Sequence, residues 1–100
     1  MKHFLLFYDL APTYLDQRGH YRAEHLGLAW RMADAGHLLV AGALANPADG
    51  AVYLFQGETD AQARAFAEAD PYVANGLVTA WRVREWTTAA GPLAANPVRP

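Results

Sequence analysis

Three side chains in the first quarter of the chain stand out for what they could do together. Arg18, Arg22 and His25 follow one another at spacings of four and three, which makes them neighbours on a helix surface. Arg22 falls near the centre of the apolar stripe expected there, with Arg18 and His25 at its edge on the same side. Guanidinium groups offer fork-shaped donors to a carboxylate or phosphate, and an imidazole moves protons near neutral pH. One reading is an anion-binding pocket with a titratable base. The other is a pair of snorkelling arginines and a core histidine bonded to a backbone carbonyl.

Asp70-Pro71-Tyr72 is the second constellation. An ionised Asp only accepts hydrogen bonds, so Asp70 could take a ring N–H from a histidine and orient it. Asp followed by Pro is also a good helix N-cap with its first helical residue. A carboxylate has lone-pair sites for both jobs. Tyr8 and Tyr72 are expected to line the pocket and supply hydroxyls. His3, His20 and His37 share no metal-ligand spacing, and no metal is expected. Asp9 ends an apolar run near Pro12 and reads as a turn residue. No Gly-rich phosphate loop is present, and no cofactor is expected.

These residues need elements to carry them. Residues 4–8 form an apolar run that reads as a buried strand. Residues 14–35 have helical periodicity, with Leu15, Leu26, Ala29, Trp30 and Ala33 on one stripe and Gly36 at the C-terminal cap. Residues 38–44 and 51–56 read as two strands joined by a turn through Pro47 and Gly50. Thr59 and Gln62 match a capping box, opening a helix to about residue 69 with Ala63, Phe66 and Ala67 inward. Pro71 should stop that helix. Residues 78–86 are the last strand.

The order strand, helix, strand, strand, helix, strand predicts an α+β, ferredoxin-like fold: a four-stranded antiparallel sheet with two helices on one face. Alternation puts Phe4, Leu6 and Tyr8 on one face and Leu5 and Phe7 on the other; Val52 and Leu54 likewise oppose Tyr53 and Phe55. Trp81 and Trp86 face opposite sides, and Arg82 and Arg84 share a face with Trp86. Both faces are apolar, yet two helices cover one. A second copy of the sheet is the simplest cover, so a homodimer is expected, with larger assemblies left open.

Composition narrows the classes further. A chain of 100 residues, 53% of them apolar, allows one domain, residues 1–90, with a loose tail over residues 91–100. The absence of Cys excludes a disulfide scaffold, a thiolate nucleophile and cysteine-based metal sites. Net charge is −2, without the basic footprint of a nucleic-acid binder. No apolar run approaches the roughly 20 residues that span a bilayer, and the start is too early broken for a signal peptide. A soluble, cytoplasmic protein is expected.

His25-Leu26, Gly36-His37-Leu38-Leu39-Val40-Ala41-Gly42, Asp70-Pro71-Tyr72-Val73-Ala74-Asn75-Gly76-Leu77-Val78 and the closing strand with Trp86 together resemble the YciI-like (YCII-related) family. The resemblance covers residues 2–86. It implies a dimer of the α+β barrel type, with an active site built on the His and the Asp-Pro-Tyr motif that match His25 and Asp70. Arg22 matches the family's Arg three residues before that His. One departure is Gly42-Ala43-Leu44, where the family often has Gly-Pro-Leu. One activity known in the family is dehydrochlorination of chlorinated hydroxyquinones.

Residues and resemblance together lead to one expectation and one alternative. The expectation is a small cofactor-free enzyme, a lyase or hydrolase. His25 and Asp70 would do acid/base chemistry (elimination, hydrolysis or proton transfer) on a small anionic substrate, aromatic ones included. Arg22 and Arg18 would bind its charge, with Tyr8 and Tyr72 alongside. The alternative is a non-catalytic module that binds a small anion or serves dimerisation.

Overall fold

The computed structural model describes residues 1–100. The chain runs β1 (Lys2–Leu10), α1 (Tyr14–Gln17), one turn of 3-10 helix (Arg18–His20), α2 (Arg22–Asp34), β2 (Leu38–Ala43), β3 (Gly50–Gly57), α3 (Ala61–Ala69), α4 (Pro71–Ala74) and β4 (Val78–Trp86). The strands form one antiparallel sheet in the order β2-β3-β1-β4. This is the ferredoxin-like α+β arrangement, with the α2 and α3 layer on one face.

Period-2 alternation decides which side chains meet the helices. Phe4, Leu6 and Tyr8 of β1 pair across with Phe55, Tyr53 and Ala51 of β3, and all six are buried. Phe66 of α3 packs against Tyr53 and Phe55, with ring centroids 5.1 and 5.9 Å away. Phe66 and Leu6 are fully buried, each contributing about 2–3 kcal/mol of apolar transfer. On the opposite face Leu5, Phe7, Val52 and Leu54 remain half-buried, because no helix covers them.

The first helix is not the single rod expected over residues 14–35. After α1 the chain tightens into the 3-10 turn at Gly19, and Tyr21 leaves helical geometry (φ −123°, ψ −1°) before α2 begins. This interruption separates Leu15 from the stripe of α2, whose outer part borders an open cavity. His25 and Ala29 are the buried residues of α2. Leu15, Leu26 and Trp30, expected to face the core, are exposed. Arg22, expected mid-stripe, opens α2 and is exposed as well.

The expected capping box also fails to form. Asp60 occupies the N-cap of α3 without a side-chain cap, since its carboxylate accepts from Arg64 Nε at 2.8 Å instead. Thr59 Oγ1 accepts only a 3.3 Å bond from the Ala61 N–H. Pro71 does end α3, but it also starts α4 as its first residue, where its missing N–H and fixed φ cost nothing.

Beyond β4 the chain turns back. Thr88 Oγ1 lies 2.8 Å from His3 Nδ1 and accepts from the Ala95 N–H at 2.7 Å. The Asn96 N–H bonds the Thr88 carbonyl at 3.0 Å. These contacts bury His3 and Thr88 at the end of the sheet face that the helices leave open. No helix is long and apolar enough to cross a membrane.

Candidate functional site

Asp70 sits at the joint between α3 and α4. Its extended backbone (φ −72°, ψ 123°) ends one helix and caps the next. Three donors converge on its fully buried carboxylate. The Tyr72 backbone N–H donates to Oδ1 at 3.0 Å, which is the cap. His25 Nδ1 lies 2.8 Å from the same oxygen, and the Tyr8 hydroxyl donates to Oδ2 at 2.7 Å. The cap and the histidine partner are therefore one group.

A carboxylate can only accept, so the Nδ1 position of His25 carries a proton, and in the neutral ring the lone pair then lies on Nε2. The ring cannot swing. Tyr72 stacks on it with centroids 3.9 Å apart and planes 10° from parallel. Phe66 and Tyr53 meet it edge-on at 5.8 and 6.2 Å. α2 delivers His25 at the first turn where its helix faces the sheet, while α4 delivers both Asp70 and Tyr72.

A cavity of about 370 Å³ opens beside this pair, between α2 and β2. That is within the range of roughly 300–1,000 Å³ typical of small-molecule sites. His25, Tyr72, Arg18 and Arg22 line it, as do Tyr14 and Tyr53. Arg18 leans over the Tyr14 ring, its guanidinium carbon 5.5 Å from the centroid. Neither Arg18 nor Arg22 forms an ion pair with an acidic side chain. Two cations thus face the cavity with their charge uncommitted.

The phenols are held neutral. Burial, and then the Asp70 charge, push the Tyr8 and Tyr53 hydroxyls well above their ordinary pKa. Burial also raises Tyr72, aided by Tyr14 and opposed by Arg22 and Arg18. The Tyr72 hydroxyl is buried with no hydrogen-bond partner. No group of three or more His, Asp or Glu side chains stands together as a metal site.

The structure brings together five of the six residues singled out in the sequence at one cavity: Arg18, Arg22, His25, Tyr72 and, just behind His25, Asp70. Tyr8 is the exception. It was expected on the pocket wall and instead lies behind Asp70, as its second donor. Sequence reasoning passed over Tyr53 and the β2 wall. Tyr53 had a signal, since it falls in phase with Phe55 on the helix face and carries a hydroxyl there. The β2 wall had none, because Leu39 to Ala43 read only as a strand.

Comparison with known proteins agrees with this architecture. A 5-chloro-2-hydroxyhydroquinone dehydrochlorinase from Burkholderia phenoliruptrix AC1100, solved in complex with 2,5-dihydroxybenzoquinone, superposes with a TM-score of 0.72. It is 22% identical, over 87% of this chain and 95% of that one. A NIPSNAP family protein from Agrobacterium tumefaciens gives 0.61 at 12% identity, covering 91% and 96%. A protein assigned as an antibiotic biosynthesis monooxygenase, from Deinococcus radiodurans, gives 0.55 at 13%, covering 91% and 95%. At these identities the likeness is one of fold, the dimeric α+β barrel type. No curated protein matches the chain in sequence. Residues 1–87, from the first strand through the last, match the model of the YCII-related domain, and the chain belongs to that family.

Proposed function

We propose that this protein is a small-molecule enzyme in which His25 transfers a proton to or from an anionic substrate. The observation that carries the reading is the shared Asp70 carboxylate. It accepts a hydrogen bond from His25 Nδ1 and so leaves Nε2, on a ring that lines the cavity, as the reactive atom. When Nε2 takes a proton, the imidazolium forms against a carboxylate 2.8 Å away, which offsets the developing charge. Arg22 and Arg18 hold the anionic group of the substrate or a developing oxyanion. Tyr72 stacks under the imidazole and keeps its face from water. In an elimination, the proton goes to Nε2 and the electron pair left on carbon expels the leaving group. The dehydrochlorinase of similar fold supports trying hydroxylated aromatic acids and quinols first.

The uncovered sheet face supports a second element of this reading, a homodimer. Leu5, Phe7, Val52 and Leu54 form a half-buried apolar surface bordered by Trp86, which is 48% exposed. A second copy covers that face without touching the cavity on the helix side.

The test is a panel of small hydroxylated aromatic and aliphatic acids, with 5-chloro-2-hydroxyhydroquinone included, incubated with wild type and His25→Ala. Turnover by wild type that falls by about 10²–10⁴ in the variant is expected for a lost acid/base group. Equal turnover by His25→Ala, or none by wild type across the panel, overturns the reading.

A further inference from the structure

The cavity is a groove rather than a bowl. Arg22, His25, Leu26, Ala29, Trp30 and Ala33 recur at the three- and four-residue spacing of one helix face, and all line it. From the first to the last of them α2 rises about 16 Å. The facing wall is β2, an edge strand, which contributes Leu39, Ala41 and Ala43. The chain reverses at Gly36, whose φ of +85° suits glycine. The start of β2 therefore lies beside the end of α2.

The two ends differ in chemistry. At the α2 N-terminus are both unpaired arginines, His25 and the orphaned hydroxyl of Tyr72, a side chain only 2% exposed. Towards the C-terminus the lining is apolar, and its large members are open to solvent. Trp30 is 65% exposed, Leu26 40% and Leu39 36%. Exposed tryptophan and leucine side by side on a groove are uncommon without something to cover them. A buried hydroxyl without a partner is likewise uncommon unless a ligand supplies one.

We propose that the groove binds an elongated amphipathic carboxylate, its head between Arg18, Arg22 and the Tyr72 hydroxyl and its apolar body along Trp30 and Leu39. This deepens the anion-site reading above and rests on Arg22 and His25 belonging to one ligand site. Two guanidinium groups match the head in charge, and Tyr72, held protonated, donates to it. A compact acid would fill the polar end and leave Trp30 wet.

Titration calorimetry with straight-chain carboxylates from acetate to octanoate, below their micelle concentrations, tests this. Affinity is expected to rise about fourfold per added methylene, so octanoate exceeds butanoate by about 250-fold. Trp30→Ala, at an exposed position that the fold does not need, should weaken octanoate about tenfold and leave butanoate within twofold. Arg18→Met with Arg22→Met should weaken both at least tenfold. Equal binding of butanoate and octanoate, no binding of either, or octanoate affinity untouched by Trp30→Ala overturns the groove assignment. Chain-length dependence in a protein that turns over no acid supports the groove and removes the acid/base reading alone.

Discussion

One oxygen of Asp70 serves His25 and the backbone of α4 at once: Oδ1 lies 2.8 Å from His25 Nδ1 and 3.0 Å from the Tyr72 nitrogen. The cap orients the carboxylate, and the carboxylate orients the imidazole. The same turn of chain sets the Tyr72 ring 3.9 Å from His25. Two features of a site that are usually built separately, the tautomer and the ring plane, here come from one Asp-Pro-Tyr step. Pro71 makes that step stiff, since its ring fixes the first φ of α4.

Removing the acceptor should therefore cost stability as well as orientation. Asp70→Ala leaves three buried donors without a partner: the Tyr8 hydroxyl, His25 Nδ1 and the Tyr72 N–H. At about 1–3 kcal/mol for each buried unsatisfied group, urea denaturation should show a loss of at least about 3 kcal/mol. Asp70→Asn keeps one acceptor oxygen and turns an amide N–H₂ towards a donor, so an intermediate loss is expected. A loss below about 1 kcal/mol in Asp70→Ala would mean that the three bonds are not maintained in solution.

The tautomer can be observed directly. Nitrogen-15 spectra of the neutral imidazole in wild type should show His25 with the proton on Nδ1 and a bare Nε2. Asp70→Ala removes the partner at 2.8 Å and should let the proton redistribute towards Nε2. A neutral wild-type ring protonated on Nε2 would lack the lone pair there that accepts the proton and would end the proton-transfer scheme.

The elements and the site differ in how far they could be read from the residues. The sheet arrangement follows from the succession of elements, and its two faces from period-2 alternation, because strand side chains report on only two environments. Phe4, Leu6 and Tyr8 land where that period puts them. The pairing of His25 with Asp70 was expected from the resemblance to the YCII-related family, since each residue alone fits a core histidine or a helix cap equally well. The helix over residues 14–35 was misread for a physical reason. Periodicity cannot see a one-turn change of pitch at Gly19, which takes Leu15 out of the stripe, and it cannot see that the face shared by Arg22, Leu26, Ala29, Trp30 and Ala33 borders an open cavity, which leaves Arg22, Leu26 and Trp30 exposed. Tyr8 was placed correctly on the helix face, yet its role depends on Asp70, which is 62 residues away. The Thr59 box failed because Asp60, one residue later, takes the N-cap position of α3.

The uncovered sheet face makes mass a direct observable. Light scattering at micromolar concentration should give twice the 10.9 kDa of the chain, or a multiple of that dimer. Leu54→Glu, in the middle of the half-buried apolar face, should push the population towards monomer by placing a charge in the interface. A wild-type monomer would show that this face stays open and that the apolar surface has another purpose.

Alkaline stability follows from the three phenols. Burial, ahead of the Asp70 charge, raises Tyr8 and Tyr53, and burial ahead of Tyr14 raises Tyr72. In the unfolded chain each ionises near its ordinary value of 10.0, whereas in the folded chain Tyr8 and Tyr53 keep their protons and Tyr72 loses its own at higher pH than when unfolded. Above that pH the folded state therefore binds more protons than the unfolded one, and stability falls as pH rises. Below it both states are protonated and these groups contribute no slope. Each phenol so protected removes about 1.4 kcal/mol per pH unit beyond 10. Urea melts between pH 8 and 11.5 should be flat at the lower end and then decline at up to three times that slope. Tyrosinate absorbance should show a late step that coincides with unfolding rather than with a smooth titration. Tyr8→Phe should shallow the decline by one phenol's share, while also lowering stability at pH 8 because Asp70 loses its Oδ2 donor. Ionisation of every tyrosine in the native state, with no change in the urea midpoint, would show that Tyr8, Tyr53 and Tyr72 are open to solvent and that Asp70 is not sealed beneath them.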